Sequence, residues 1–314
     1  MSSGGRMGNK KFDIIGAPFN KLGYLKTEKN TVEGLRSTDE FTWLALSNWI
    51  DVRNSRWGMD IKDVGDITTN KSVNDAILND QNEKALGIYC DELKSKLLNS
   101  FEAGRTPITI GGDHSIAVGT VQAALEHYQK NKNEKVAVVW VDAHADCNSS
   151  LDSNLHGKPL AMLMNEYRHN GWSVPTESQL SSEQVFYIGV RDLMPNEFEF
   201  ISNSSVTNYD MTYLDTHGIQ SVLADLMAKI DSQFDRVYLS FDYDALDGSI
   251  FRACATPNIG GLSAREALHL VHTIASSPKF IGADFVEYMP ELDEKSISKE
   301  LMVKLIDAVW GFRA

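Results

Sequence analysis

Short runs of apolar and β-branched residues recur along the chain, and a longer segment with helical periodicity follows most of them. Residues 136–141 are apolar at every position, which suits a strand that helices cover on both faces. The alternation of strands and helices predicts an α/β fold around a mainly parallel sheet. The predicted strands are FDIIGAPF (12–19), TPITIGG (106–112), KVAVVWVDAH (135–144), EQVFYIGVRD (183–192), DRVYLSFDYDAL (235–246) and KFIGADFVEY (279–288).

Two of the intervening segments have the clearest helical period. Residues 115–130 and 263–277 carry apolar residues at i, i+3 and i+4 spacing, and each begins with a serine, which is favoured at helix N-termini. Residues 21–71 lack a clean period, and we expect a surface loop there with room for one helix. Because no linker divides the rest, we expect a disordered tail or cloning remnant over residues 1–11 and a single domain over residues 12–314.

Composition and charge narrow the class of protein. The chain has 314 residues, of which 42% are hydrophobic and 23% charged, as in soluble globular proteins. Its net charge of −13 opposes binding to nucleic acid or to anionic membranes. Three widely spaced cysteines predict neither a disulfide framework nor a zinc ribbon. With no secretory signal and no run near the ~18 apolar residues of a membrane span, we expect a soluble, cytoplasmic protein.

Three of the predicted strands end in histidines and carboxylates, and ligands bind beyond the carboxyl ends of strands in open parallel sheets. Every second residue of DAHAD and DYD would point the same way on an extended backbone. Two imidazoles with several carboxylates favour Mn²⁺, Fe²⁺, Co²⁺ or Zn²⁺, and carboxylates that can bridge suggest two ions. Two ions ~3.5–4 Å apart can share a water and lower its pKa, which predicts hydrolysis. The candidate ligands are His114, Asp142, His144, Asp146, Asp242 and Asp244.

Other interpretations of these residues stay open. Any one of the carboxylates could instead cap a helix or shape a turn, but uncompensated charge gathered at one sheet edge would be costly to desolvate. The Gly111-Gly112 pair could belong to a phosphate loop, although no Gly-Lys-Ser/Thr follows it. Alternation turns Cys147 away from the predicted ligands, so we interpret it as a packing residue.

Among the remaining histidines, His156 lies in a turn-rich segment soon after the DAHAD run, where a loop could fold over the site. Imidazole titrates near neutral pH, so we expect His156 to act as a proton shuttle for a leaving amine. The other five are expected at the surface or at helix caps. They are His127, His169, His217, His269 and His272.

Five motifs in a fixed order resemble the ureohydrolase family and, within it, the arginases. The similarity extends from residue 14 to the last helix. It implies a three-layer α/β/α fold with about eight mainly parallel strands, and assembly as homo-trimers or hexamers. The motifs are GGDHS (111–115), DAHADCN (142–148), NLHGKP (154–159), SFDYDALD (240–247) and FVEYMP (285–290).

The resemblance also implies two Mn²⁺ per subunit, with Asp142 and Asp242 bridging them. The implied ligands of one ion are His114, Asp142, Asp146 and Asp242. Those of the other ion are His144, Asp142, Asp242 and Asp244.

The same resemblance implies roles for residues around the metals. Glu287 would bind the substrate guanidinium, for which a carboxylate is a bidentate partner. A hydroxide shared by the ions would attack the guanidinium carbon while Asp146 handles the proton and His156 shuttles one to the leaving group. Asn148 would contact the substrate α-carboxylate and Glu197 its α-amino group. The expected reaction is hydrolysis of L-arginine to L-ornithine and urea.

Three positions depart from the arginase pattern. A short loop over residues 148–154 places Asp152 near a carboxylate-binding serine position, Met194 replaces an acidic residue that meets the α-amino group, and TEKNTVEGLR (27–36) replaces a glycine-rich segment. Metal binding and cleavage of a guanidino compound are therefore better supported than L-arginine as the substrate. Two alternatives stay open: a ureohydrolase for agmatine or a guanidino acid, and a non-catalytic metal-binding relative.

Overall fold

The structure is a computed structural model that describes residues 10–27, 29–37, 44–152 and 154–311. Eight strands occur in these ranges, and all of them pair in parallel. They are β1 (Lys11–Ala17), β2 (Asp60–Asp66), β3 (Thr106–Gly111), β4 (Val136–Val141), β5 (Val185–Ile188), β6 (Thr207–Tyr209), β7 (Arg236–Asp242) and β8 (Phe280–Val286). They form one sheet in the order β2-β1-β3-β8-β7-β4-β5-β6, which confirms the parallel sheet of about eight strands.

Helices cover both faces of this sheet. Successive side chains of β4 enter two different hydrophobic clusters, with Val139 in one and Val138 in the other. This alternation on a strand that is apolar throughout explains the three-layer arrangement. The helices are α1 (Thr31–Arg36), α2 (Leu46–Trp57), α3 (Lys71–Leu78), α4 (Asn82–Glu102), α5 (Ala117–Ala124), α6 (Pro159–Leu163), α7 (Pro195–Asn203), α8 (Met211–Gln233), α9 (Ala264–Ala275) and α10 (Ile297–Val309).

Both helices that the sequence predicts most clearly are present, but only one of them begins at the serine that is expected to cap it. Helix α9 begins as expected, because Ser263 Oγ accepts from the backbone of Glu266 and the Glu266 carboxylate accepts from Ser263 N–H at 2.9 Å. The helix predicted over residues 115–130 instead begins with a 3₁₀ turn capped by Asp113, whose Oδ1 accepts from Ser115 N–H at 3.2 Å. It ends in a π-helical turn over Leu125–Lys130.

The prediction of a surface loop over residues 21–71 is wrong, because α1, α2 and β2 lie there. Strand β2 has the sequence DIKDVGD and pairs only with β1 in the described part of the chain. An edge strand rich in charge lacks the apolar run on which the prediction relied. Strand β6 was missed because it is only three residues long.

Two smaller expectations also need correction. Strand β1 includes Lys11, and Lys10 Nζ donates to Ser277 O at 3.0 Å, so these two residues of the predicted tail belong to the fold. The rest of that tail, residues 1–9, lies outside the described residues. The expectation that His127 lies at the surface or at a helix cap is wrong, since it lies within the turn over Leu125–Lys130, is 7% exposed, and its ring lies 5.2 Å from that of Phe101. His217 is exposed, as expected.

The three cysteines, Cys90, Cys147 and Cys254, are buried and free. The sequence does not predict a disulfide framework, and it predicts that Cys147 is a packing residue. The buried, unbonded state of the three thiols agrees with both predictions. None of the helices in the described ranges combines the length and apolar character that crossing a membrane requires.

Candidate metal centre and active-site cavity

The candidate site lies where four adjacent central strands end. His114 follows β3 by three residues, Asp142 is the first residue after β4, Asp242 is the last residue of β7, and Glu287 is the first residue after β8. These strands are neighbours in the order β3-β8-β7-β4, so their carboxyl ends bring the four side chains to one edge of the sheet.

One group of ligand-type atoms surrounds His114. Its Nδ1 lies 3.0 Å from Asp142 Oδ2, 3.0 Å from Asp146 Oδ2 and 3.2 Å from Asp242 Oδ2. Although it is buried, Nδ1 makes no hydrogen bond of good geometry with any described residue. An imidazole nitrogen that faces three carboxylate oxygens without hydrogen bonding to them suits a shared divalent cation.

A second group surrounds His144 and shares Asp142 with the first. His144 Nδ1 lies 3.1 Å from Asp244 Oδ2 and 3.4 Å from Asp142 Oδ1. Asp142 therefore offers one carboxylate oxygen to each histidine. The three residues of each group, His114-Asp142-Asp146 and Asp142-His144-Asp244, have ligand atoms within 4.8 Å of one another. A shared carboxylate between two such groups is the arrangement expected for two neighbouring ions.

The charges of these side chains are poorly compensated without a cation. Burial, and then the charge of Asp142, raise the pKa of Asp146 to about 7, and burial also raises the pKa of Asp242. Burial opposes the charged forms of His114 and His144, but the surrounding carboxylates outweigh it and raise both histidine pKa values. A bound divalent cation would compensate the carboxylates.

A second layer of contacts orients His114. Its ring stacks on Trp140 with 4.0 Å between ring centroids, and its Nε2 lies 2.9 Å from Ser240 Oγ. Ser240 Oγ donates to Asp284 Oδ1 at 2.5 Å, so with Asp284 ionised the serine oxygen must accept the proton of His114 Nε2. In the neutral imidazole the lone pair then lies on Nδ1, which faces the carboxylates. This is the tautomer that metal ligation requires.

The six predicted ligands come together, but the backbone that carries them is not extended as expected. Strand β4 ends at Val141, and Asp146 has a left-handed φ of +50°, so DAHAD is not an extended segment with period-two alternation. The loop turns back, and Leu160 N–H donates to Asp146 O at 3.0 Å. Glu287 also has a left-handed φ, of +70°. The side chains thus converge through loop geometry that periodicity does not reveal.

A cavity of about 220 Å³ opens directly above the two groups. Every residue predicted to act on the substrate lines it, so the metal and substrate predictions describe one site. Its lining includes His144, Asp146, Asn148, Asp152, His156, Met194, Glu197, Asp242, Asp244 and Glu287. A larger cleft of about 640 Å³ lies at the amino ends of the strands, beside Lys135, Gln184 and Phe234, away from the histidine and carboxylate groups.

His156 and Glu287 lie on the walls of this cavity. Burial lowers the pKa of His156, against the opposing charge of Asp113, so the imidazole is neutral at neutral pH. Its Nδ1 is buried without a hydrogen-bond partner among the described residues. Burial, and then the charge of Asp113, raise the pKa of Glu287. The pair offers a neutral base and a carboxyl group that a cationic ligand would ionise.

The predicted substrate contacts are built into the outer part of the cavity. Asn148 Oδ1 accepts from Asn196 Nδ2 and from Ser150 N–H, both at 2.9 Å. Glu197 Oε1 accepts from Cys147 N–H at 3.3 Å, and its Oε2 accepts from Met194 N–H at 2.9 Å. The side chain of Met194 is 56% exposed at the rim.

Sequence reasoning missed three residues that support the site. Thr256 lines the cavity, and its Oγ1 donates to Asp244 Oδ2 at 3.1 Å. Arg191 Nη2 donates to the backbone oxygen of Asp244 at 2.8 Å. Lys158 is fully buried behind the loop that carries Asn148. Lys158 lies in the NLHGKP motif and Arg191 near the end of a predicted strand, but no local pattern marks either of them, or Thr256, as part of the site.

Comparison with known proteins agrees with this geometry. Residues 10–311 match the model of the arginase family. The chain is 34% identical over 275 residues to the arginase of Bacillus caldovelox, covering 82% of this chain and 87% of that protein. It is 31% identical over 315 residues to the non-hepatic arginase 2 of Xenopus laevis, covering 95% and 82%.

Among solved structures, the arginase from Bacillus cereus superposes with a TM-score of 0.80 at 29% identity, covering 97% of this chain and 99% of that one. The resemblance to ureohydrolases is thereby confirmed, together with the three-layer fold. Members of the family are hydrolases that act on guanidino compounds. The chain belongs to the arginase family and is a hydrolase of the ureohydrolase type.

Proposed function

We propose that the protein hydrolyses the guanidinium C–N bond of L-arginine, giving L-ornithine and urea, at a centre of two Mn²⁺. The observation that carries this proposal is the sharing of Asp142 between the His114 and His144 groups, at the base of a cavity that Glu287 also lines. Mixed imidazole and carboxylate ligands suit Mn²⁺. Two bound cations would lower the pKa of a water that they share.

The proposed ligands divide into two overlapping sets. Asp142 and Asp242 belong to both and would bridge the ions. The set of one ion is His114, Asp142, Asp146 and Asp242. The set of the other is His144, Asp142, Asp242 and Asp244.

Three side chains of the cavity then share the work of the reaction. The Glu287 carboxylate binds the guanidinium and aligns its carbon over the metal groups. Asp146, which also belongs to one of the proposed ligand sets, can take up a proton as the C–N bond breaks. His156, neutral at rest, takes up a proton from solvent and passes it to the leaving amine. At the distal end, Asn148 contacts the α-carboxylate and Glu197 the α-amino group.

One observation favours a second candidate substrate. The outer part of the cavity carries Asp152 and Glu197, whereas no lysine or arginine is among the described residues that line it. The α-carboxylate of L-arginine would therefore lie near the like charge of Asp152, with no lysine or arginine among the described lining residues to compensate it. A guanidino compound with a distal amine and no carboxylate, such as agmatine, would meet the opposite charge. A non-catalytic role is disfavoured because all six ligands, His156 and Glu287 are present.

A urea-release assay with Mn²⁺-loaded protein across L-arginine, agmatine and a guanidino acid tests these candidates. The proposal expects the highest kcat/KM with L-arginine, and loss of activity on chelation. A preference for agmatine would favour the second candidate, and no urea from any substrate would contradict a catalytic function.

We also propose a homo-oligomer, a trimer or hexamer, by analogy with the family, and a location in the cytoplasm. The free buried cysteines are compatible with a reducing compartment. Light scattering on the purified protein measures the assembly, and fractionation of cells measures the compartment.

A further inference from the structure

We propose that Lys158 is a positioning residue that fixes the 148–152 loop from behind and so determines how tightly the distal end of the substrate binds. This rests on the proposed function, because it concerns the outer part of the same cavity. The loop brings Asn148 and Asp152 into the cavity wall, whereas Lys158 itself does not line it.

The ammonium of Lys158 is buried against the backbone of this loop. Its side chain is 0% exposed, and Nζ donates to Ser150 O and, at 3.5 Å, to Asn148 O. Nζ also lies 5.1 Å from the centroid of the Tyr167 ring. No described carboxylate lies within ion-pair distance of it. The contacts of this buried charge are therefore two carbonyls of one loop and an aromatic face.

Such an arrangement is costly unless those contacts are kept. Burial lowers the pKa of Lys158 to about 8, against the attraction of Glu197, Glu83 and Asp152. Loss of the carbonyl contacts would leave the ammonium without its donors satisfied, so the charge and the loop conformation stabilise one another. The Lys158 ammonium thus fixes the backbone at residues 148 and 150 and is called the anchor below.

The anchor is itself held in place. Tyr167, which is 2% exposed, donates from its hydroxyl to Glu83 Oε1 at 2.5 Å. Asn170 Nδ2 donates to the same oxygen at 2.9 Å. The ring beneath the ammonium is therefore fixed through its hydroxyl group.

The remaining atoms of Asn148 are fixed as well. Its N–H donates to Gly157 O at 3.2 Å, and its side-chain oxygen accepts from Asn196. With Lys158 on its carbonyl, Asn148 is constrained at its amide, its carbonyl and its side chain. Removing Lys158 should free the loop between residues 148 and 152 while leaving the metal groups, which it does not contact, unchanged.

Lys158→Met keeps an unbranched side chain and removes the donors. In the Mn²⁺-loaded protein we expect KM for L-arginine to rise about tenfold or more, the scale of a lost hydrogen bond to a charged group. Turnover of methylguanidine, which lacks a distal end, should be unchanged. Amide hydrogen exchange should accelerate in segment 148–152 and remain the same in segment 240–246.

Lys279→Met is the matched control. Lys279 Nζ donates to the carbonyls of Ile230, Asp231 and Phe234 at 3.2, 2.8 and 2.6 Å, far from the cavity. The Lys279→Met variant also loses contacts between an ammonium and backbone carbonyls, and we expect no change in its KM for L-arginine. Lys158→Arg keeps the charge and the donors and should restore most of the affinity.

Unchanged exchange in segment 148–152, or equal losses of turnover with L-arginine and methylguanidine, would overturn the proposal. If Lys158→Met fails to fold, Lys158→Gln, which keeps one donor on a shorter chain, is judged by the same two readouts. If the unaltered protein releases urea from no substrate, the proposed function fails, and hydrogen exchange still decides whether Lys158 positions the loop.

Discussion

The backbone N–H of His114 donates to Oε1 of Glu287 at 2.9 Å. In the same corner, Glu287 N–H donates to Gly112 O at 2.8 Å, so the ends of β3 and β8 are joined by two hydrogen bonds. A proposed metal ligand and the proposed guanidinium acceptor are therefore fixed relative to each other by the backbone. In the proposed function, alignment of the guanidinium would therefore not depend on a flexible side chain alone.

The metal sites predict unequal effects of ligand loss. Purified protein loaded with Mn²⁺ should bind about two ions per chain. Asp242→Ala should lower metal content more than Asp146→Ala, because a bridging carboxylate serves both ions. Elemental analysis after removal of free metal measures both variants. No metal in the loaded unaltered protein, or greater loss from Asp146→Ala, would contradict the proposed ligand sets.

His156→Ala should lower kcat by roughly 10²–10⁴-fold, the range for loss of a positioned acid or base. Metal content should be retained, because His156 belongs to neither ligand group. Steady-state urea release and elemental analysis on the same preparation separate the two effects. Full turnover in the variant, or loss of metal, would show that His156 is not a proton shuttle.

Met194 lines the cavity but cannot accept a hydrogen bond from an ammonium as an aspartate can. One charge-assisted contact, worth about 1.5–3 kcal/mol or roughly 10- to 150-fold in affinity, is missing for L-arginine. Met194→Asp should therefore lower KM for L-arginine and do little for guanidino acids that lack the amino group. Met194→Leu is the matched apolar control. An unchanged KM would show that Met194 does not meet the α-amino group.

Metal-free protein should lose stability as the pH rises. The carboxyl of Asp146 titrates near 3.8 ordinarily, but at about 7 in the fold, so between these values the folded chain keeps a proton that the unfolded chain has released. The raised pKa of Asp242 acts in the same direction within this window, and that of His114 adds a further loss above about pH 6.5, so the free energy of unfolding falls as the pH rises.

Mn²⁺ needs ionised ligands and should stabilise more at about pH 8 than at about pH 6. Thermal unfolding with and without Mn²⁺ at both values tests this. A metal-free Tm that rises with pH would be inconsistent with buried, protonated carboxyl groups.

Much of the framework could be predicted from the sequence because burial leaves a strong local pattern. Strand β4 is apolar at every position and lies between two helical layers. Strand β2 could not be found in this way, since four of its seven residues are charged, Lys62 and Asp63 are exposed at the edge, and only pairing with β1 makes it a strand. Edge strands depend on tertiary contacts rather than on their own composition.

The candidate site was predictable in its residue types but not in its geometry. Histidines and aspartates at strand ends identified the ligand-type residues, whereas the left-handed turn at Asp146 depends on contacts with the later segment at Leu160. The role proposed for Lys158 likewise rests on three-dimensional contacts, because the carbonyls that it contacts lie eight and ten residues away along the chain.

The strand order has a consequence for how the protein is made. Strand β8 is the last of the described strands along the chain, yet it lies between β3 and β7 and alone among them joins the two halves of the sheet. While a nascent chain is still short of residue 280, β3 and β7 each expose an open edge in the middle of the future sheet. Unpaired strand edges promote aggregation. We therefore expect the nascent chain to need chaperones on the ribosome until β8 has been synthesised and has paired with β3 and β7. A truncated translation product would carry His114, Asp142 and Asp242 without the strand that brings their two half-sheets together.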